Sequence, residues 1–282
     1  MRTSHLLQRA STRVRALDAG GGRPRDVLRW GWGASKTLRD SARARTVVTT
    51  RWSASDQRWH YSWPEGRAVD DGRWSDAQGW ATHGFYYGMS DLLWRHYRPG
   101  PGDVVLDLGA GHGGETLYLA SMVGPTGRVL AVEAAPDTHA RLRELCSLND
   151  WPQVEPVNVA VAATAGTVTM SSDPAWIAGN MFEGGDLTVP ATTIDELCAQ
   201  RGIEHVDWLK MNIEGAEKDA LLGMERMAPS VSNLTISCHD FLGTDWGRSL
   251  DVVTQWLHDH GFTVEQRGEG DMVQQLYVYA WR

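Results

Sequence analysis

Long apolar runs are missing from this chain of 282 residues. Its longest apolar stretches have the length of single β-strands, far below the roughly 20 residues that a membrane-spanning helix needs, so no membrane span is expected. Cysteine is scarce: Cys146, Cys198 and Cys238 stand in apolar surroundings, without the paired spacing of a metal site or a disulfide framework. Such residues fit reduced core thiols in a cytoplasmic protein. Lysine is equally scarce, with 3 of the 27 basic residues. The arginine-rich first 45 residues (11 basic, 3 acidic) therefore read as part of a chain-wide preference for arginine rather than as a transit peptide, and they lack the apolar core of a secretory signal. No internal repeat or low-complexity tract is visible.

Acid, glycine and tryptophan are abundant. The formal net charge is −8, but residues 1–100 hold 17 Lys and Arg against 9 Asp and Glu, which leaves −16 on the remainder. An acidic C-terminal part repels a polyphosphate, so no nucleic-acid partner is expected. Residues 1–80 combine the cluster Gly20-Gly21-Gly22 with Trp30, Trp32, Trp52, Trp59, Trp63, Trp74 and Trp80. Disordered tails avoid aromatics. This N-terminal extension is therefore expected to fold onto something: as a lid or substrate-binding element over residues 81–282, as a contact in a homo-oligomer, or as irregular packing on the domain surface.

The rest of the chain is more regular. Phe85, Met89, Leu92, Leu93 and His96 recur at helical spacing, and Pro99-Gly100-Pro101-Gly102 ends that helix. Strands are expected at 104–108, 128–133, 154–161, 206–211 and 234–238. Helices are expected at 114–123, around Leu142, Leu145 and Cys146, up to about Met224, and around Leu250, Val253, Trp256 and Leu257. Residues 162–192 read as short strands and turns, after which Thr193-Ile194-Asp195-Glu196 forms a capping box for a short helix ending near Gly202. Two closing strands, 262–266 and 274–281, are joined by a turn containing Gly268 and Gly270 and must run antiparallel. Alternating β and α elements imply a parallel sheet that binds ligands at the carboxyl ends of its strands.

Val104 to Gly114 is the most informative stretch: an apolar strand empties into Gly109-Ala110-Gly111-His112-Gly113-Gly114. This turn satisfies G-x-G-x-x-G, and Glu133 follows near the distance of a ribose-binding acid, so an NAD-dependent oxidoreductase is one reading. Asp107 favours another. A carboxylate two residues before the first glycine gains nothing beside a pyrophosphate, but it complements the sulfonium and ammonium of S-adenosylmethionine. A sheet that closes with one reversed strand is also the ending of Rossmann-like methyltransferases rather than of nicotinamide domains. The expected fold is thus α/β and Rossmann-like, of the class I methyltransferase type: a seven-stranded, mostly parallel sheet with one antiparallel strand, plus the Trp-rich extension.

Three segments in order carry a resemblance: Pro101 to Ala110, Thr192-Thr193-Ile194-Asp195-Glu196-Leu197, and Leu209-Lys210-Met211-Asn212-Ile213-Glu214-Gly215-Ala216-Glu217. Together they resemble the FkbM-type S-adenosylmethionine-dependent methyltransferases over about 100–282. The resemblance implies O-methylation of a hydroxyl on a sugar, polyketide or other secondary metabolite. The chain departs from the family at Asn212, where an Asp is usual; Asn keeps an acceptor but loses the charge. A cofactor-binding protein without turnover is the reading that this departure would fit.

Methyl transfer to an aliphatic hydroxyl needs a group that takes the proton, placed at the strand ends. His239 is the preferred general base, oriented by Asp240 or a neighbouring carboxylate. Lys210 is odd inside a central strand and needs a partner such as Glu214, or else points at the substrate. Glu214 and Glu217 stand at a helix N-terminus, where acids are favoured without a catalytic role; the resemblance raises Glu214 alone above that reading. Asn212, Glu214, His239 and Asp240 could also gather a divalent cation such as Mg2+. For S-adenosylmethionine the expected contacts are Asp107 at the methionine end, then Gly109, Ala110, Gly111, Gly113 and Thr116 around the turn. Glu133 with Ala134 is expected on the ribose hydroxyls, Ala160 at the adenine, and Asn212 nearby; Tyr86 and Tyr87 could close over the site.

Overall fold

The computed structural model describes residues 33, 37, 41, 47–64, 66–71, 91–171, 185–242 and 248–282. Phe85, Tyr86, Tyr87, Met89, Gly20 to Gly22 and Trp30, Trp32, Trp74 and Trp80 lie outside the described residues. The chain divides into two units, Met1–Tyr87 and Gly88–Arg282.

In the first unit, β1 (Thr49–Ser53), β2 (Arg58–Trp63) and β3 (Gly66–Asp71) form an antiparallel sheet in chain order. Strict alternation places Trp52, Trp59, Tyr61 and Trp63 in the interior, as the period of two requires. Trp52 lies opposite Trp59, with ring centroids 5.3 Å apart in an edge-on arrangement.

The second unit is built on β4 (Val104–Leu108), α1 (Gly114–Val123), β5 (Arg128–Glu133), α2 (Pro136–Asn149) and β6 (Val154–Asn158). The short strands β7 (Ala160–Val161), β8 (Gly166–Met170) and β9 (Leu187–Thr192) follow, and then α3 (Ile194–Ala199) and β10 (Val206–Met211). The chain closes with α4 (Glu217–Leu222), β11 (Val231–Ser237), α5 (Leu250–Asp259), β12 (Thr263–Gln266) and β13 (Tyr277–Trp281). Seven strands form the main sheet in the order β12-β13-β11-β10-β4-β5-β6, with β13 antiparallel to both neighbours. This is the Rossmann-like architecture with one reversed strand.

The central strands are mainly apolar on both faces because helices cover both. Leu106, Leu108, Leu209, Met211 and Ile236 pack against Leu197 of α3, Leu221 of α4 and Leu257 of α5. Val105, Val129, Ala131 and Trp208 meet Leu119 and Val123 of α1 and Leu142 of α2. Thr193 opens α3 by accepting from the Glu196 amide at 3.0 Å, while the Glu196 carboxylate accepts from the Thr192 hydroxyl rather than closing the box on Thr193.

Two elements differ from the sequence expectation. The strand expected at 154–161 is broken after Asn158: β6 stays in the main sheet, whereas β7 pairs with β9 in a separate three-stranded sheet. The Asn158 amide donates to the carbonyls of Glu133 and Ala134, so the side chain closes the end of β5 where a continuing strand would have paired. The helix expected through His96 reaches only Leu93 among the described residues. His96 instead stacks on Trp281, with ring centroids 4.2 Å apart. Among the described residues no helix is long and apolar enough to cross a membrane.

Candidate active site

The carboxyl ends of β4, β5, β10 and β11 bring three polar groupings together. The first lies beneath the glycine turn. Register sets Lys210 of β10 opposite Asp107 of β4, and the ammonium sits 3.0 Å from Asp107 Oδ1, an ionic contact off the line of a hydrogen bond. Lys210 also donates to the Gly109 carbonyl at 2.7 Å, and Thr116 donates to Asp107 Oδ2 at 2.8 Å. Both charges are buried, Asp107 fully. Burial alone pulls the Lys210 pKa down, but the nearby carboxylates of Asp107 and Glu115 prevail and raise it, so the ammonium stays charged. Lys210 therefore pairs with Asp107, not with Glu214 and not with a substrate. Asp107 and Thr116 spend their side chains on each other and on Lys210. Asp107 is fully buried, with its oxygens facing Lys210 and Thr116, and it holds the turn from below.

The turn itself is the second grouping. Gly109 has φ +75°, and a Cβ there would lie 1.9 Å from the Asn212 carbonyl, so only glycine allows β4 and β10 to close on each other at this point. A Cβ at Gly113 would fall 2.5 Å from the Leu145 side chain of α2. The glycines at these two positions thus serve packing within the chain. The amides of Gly109 and Ala110 donate to the Val132 carbonyl, and the Gly111 amide donates to Glu133 Oε2 at 2.9 Å. Glu133 Oε1 accepts from the Ala135 amide at 2.9 Å. Burial raises the Glu133 pKa, and these two amide bonds oppose the rise. One accepted bond per oxygen leaves acceptor capacity on both. Ala110 is buried, and Ala134 packs on the small cluster of Ala160, Met170, Val189 and Ala191, so Ala160 reaches the end of β5 from the second sheet.

The third grouping follows β10 and β11. Asn212 is held through its backbone, its amide donating to the Leu108 carbonyl at 3.1 Å. Glu214 adopts φ +56°, a left-handed conformation that costs a side-chain-bearing residue about 1–2 kcal/mol. Its Oε2 lies 3.3 Å from His239 Nε2, and Glu217 Oε1 lies 2.7 Å from His239 Nδ1. Glu217 is fully buried, and it accepts from the Gly215 amide at 3.1 Å and the Ser249 hydroxyl at 3.2 Å. Burial depresses the His239 pKa, but the two glutamates outweigh it and lift the value to about 10. Two carboxylates facing the two ring nitrogens favour the imidazolium form of His239 over the neutral base expected from the sequence.

Asp240 does not orient His239. Its Oδ2 accepts from the amides of Ser249 and Leu250 and so closes the N-terminal end of α5. Nor do Asn212, Glu214, His239 and Asp240 form a metal centre. No group of three or more metal-binding His, Cys, Asp or Glu converges among the described residues, and the two glutamates face opposite nitrogens of one ring.

The sequence reading passed over Glu217, Ser249 and Asn158. The helix dipole was reason enough for an acid at Glu217, and the pairing of Asn158 with Glu133 follows only from the register of β5 and β6. The single sequence signal for Glu217 was its spacing from Glu214 across Gly215-Ala216.

Comparison with known proteins identifies relatives of the chain. Residues 107–264 match the methyltransferase FkbM domain. The chain is 26% identical over 198 residues to the 31-O-demethyl-FK506 methyltransferase FkbM of Streptomyces tacrolimicus, covering 58% of this chain and 74% of that protein. It is 28% identical over 211 residues to the AMB antimetabolite synthetase AmbE of Pseudomonas aeruginosa, covering 59% of this chain but only 10% of the synthetase. Among solved structures, methyltransferase FkbM from Methylobacillus flagellatus aligns with a TM-score of 0.49 at 17% identity, over 89% of this chain and 60% of that one.

Proposed function

The chain belongs to the FkbM methyltransferase family, and from that premise we propose that it moves the methyl group of S-adenosylmethionine to a hydroxyl of a small molecule. One observation carries the choice of donor. The first three amides after β4 are bonded within the chain, two to Val132 and the third to the Glu133 carboxylate, at the place where a dinucleotide would need free N–H groups for its pyrophosphate. A negative carboxylate on the third amide repels a phosphate. It suits a neutral ribose, whose two hydroxyls can donate to the acceptor capacity left on Glu133. S-adenosylmethionine supplies an electrophilic methyl group on a sulfonium. The chain's part is to hold an acceptor oxygen in line with that methyl at about 3 Å and to receive the hydroxyl proton.

An oxygen acceptor is supported by the Streptomyces relative, whose name records a 31-O position. The strand-end carboxylates also fit a hydroxyl, which needs a proton acceptor as it is methylated. This reading routes no step through a metal ion.

Calorimetric titration of the full chain with S-adenosylhomocysteine and, separately, with NADH tests the reading. Saturable binding of the first and none of the second is expected, with Glu133→Gln weakening the first about 10-fold. Saturable NADH binding without S-adenosylhomocysteine binding would overturn it in favour of an oxidoreductase.

A further inference from the structure

We infer that Glu214 is the group that takes the acceptor's proton, and that His239 and Glu217 are positioning residues that hold its carboxylate at the strand end. This deepens the proposed reaction and rests on it. The three side chains form one line: Glu217, fully buried; His239, 2% exposed; and Glu214, whose side chain alone opens outward, at 18%. The inner end is fixed, because Glu217 accepts from the Gly215 amide and the Ser249 hydroxyl in addition to facing His239 Nδ1. The outer end is set by the backbone. Glu214 is one of three non-glycine residues with positive φ among the described residues, and the others, Gln57 and Asp150, stand in turns. Strain kept at one point of a site, with the surrounding contacts fixing it, marks a side chain aimed for use.

The chemistry balances. A lone pair of the acceptor oxygen forms the new bond to the methyl carbon while the carbon–sulfur bond breaks and its electron pair stays on sulfur, giving S-adenosylhomocysteine. The oxygen becomes strongly acidic as the methyl arrives, so a carboxylate is basic enough to take the proton onto Oε. From that partly exposed oxygen the proton leaves to solvent. The His239 ring at Nε2 keeps the carboxylate oriented until that moment. Every titratable group packed on His239 agrees with a fixed charge: Glu214 and Glu217 face its two nitrogens, the Cys238 thiol is pushed up by burial, and Asp240 is turned away to the amides of α5.

Two measurements test this. The first needs no acceptor: nitrogen-detected NMR of the full chain with labelled histidine. Both His239 ring nitrogens should stay protonated through neutral pH and release a proton only near pH 10. A ring that titrates near its ordinary value overturns the inference. The second is the pH profile of kcat, run with the hydroxyl compound that accepts a labelled methyl. With Glu214 as acceptor the wild-type rate is flat between about pH 7 and 9, whereas an imidazole base would give about a tenfold rise per unit up to pH 10. Glu214→Gln should lower kcat about 100-fold or more while leaving S-adenosylhomocysteine affinity and the acceptor KM within about threefold. His239→Gln should move the acid limb of the kcat profile to higher pH. A rising wild-type profile, or a Glu214→Gln variant with unchanged kcat, overturns the inference. Failure of the wild type to bind S-adenosylhomocysteine would instead overturn the proposed reaction.

Discussion

Replacing Lys210 by Met probes the buried pair beneath the glycine turn. The substitution keeps volume and removes the ammonium, leaving Asp107 fully buried with only the Thr116 hydroxyl for company. At 3.0 Å and an effective dielectric constant of about 20, the pair's attraction is about 5 kcal/mol, and removing one partner of a buried pair costs about 3–5 kcal/mol. A unit of this size loses about 2–4 °C of melting temperature per kcal/mol, so Lys210→Met should melt roughly 10 °C lower. The Gly109 carbonyl also loses its donor, and affinity for S-adenosylhomocysteine should fall with it. Thermal unfolding monitored by tryptophan fluorescence, with the single Asp107→Leu and the double variant Asp107→Leu/Lys210→Met alongside, gives the test. The double variant should regain at least half of the loss, because the cost lies in the orphaned charge rather than in a missing attraction. A Lys210→Met protein melting within about 2 °C of wild type, or a double variant whose loss equals the sum of the singles, would refute the argument.

Gly109→Ala should be far worse than Gly124→Ala. The first places a Cβ 1.9 Å from the Asn212 carbonyl, whereas the second meets nothing within 4 Å and carries only the backbone strain of its extended positive-φ conformation, about 1–3 kcal/mol, so denaturant midpoints should separate them clearly. Thr193→Ala removes the cap of α3 and should cost about 1 kcal/mol without altering S-adenosylhomocysteine affinity, measured by denaturation and calorimetry. The raised pKa of His239 gives a pH dependence of stability. The favourable contribution is complete below the ordinary histidine value near 6.5 and is lost as pH rises toward about 10; wild type should therefore lose a few kcal/mol over that window, and His239→Gln much less.

The main sheet was legible because its strands are short apolar runs separated by glycine and proline, and the reversed last strand followed from the short turn between 266 and 274. The glycine turn was legible as a ligand site, but the use of its acid was not. Asp107 looked solitary along the chain; only the register of β4 against β10 brings Lys210 under it. His239 looked like a base because an isolated imidazole titrates near neutrality, and the two glutamates that change this lie 22 and 25 residues earlier, after another strand. Charge pairing across strands depends on register, which apolar patterning does not record. The break after Asn158 was hidden for the same reason, since Val159, Ala160 and Val161 continue an apolar run.

Transfer of a carbon-13 methyl group tests the central claim most directly. The full chain is incubated with S-adenosylmethionine labelled at that methyl and a panel of hydroxylated small molecules, and the product is read by NMR. The account predicts a labelled methyl on oxygen, formed one for one with S-adenosylhomocysteine. A label found on nitrogen or carbon would contradict it.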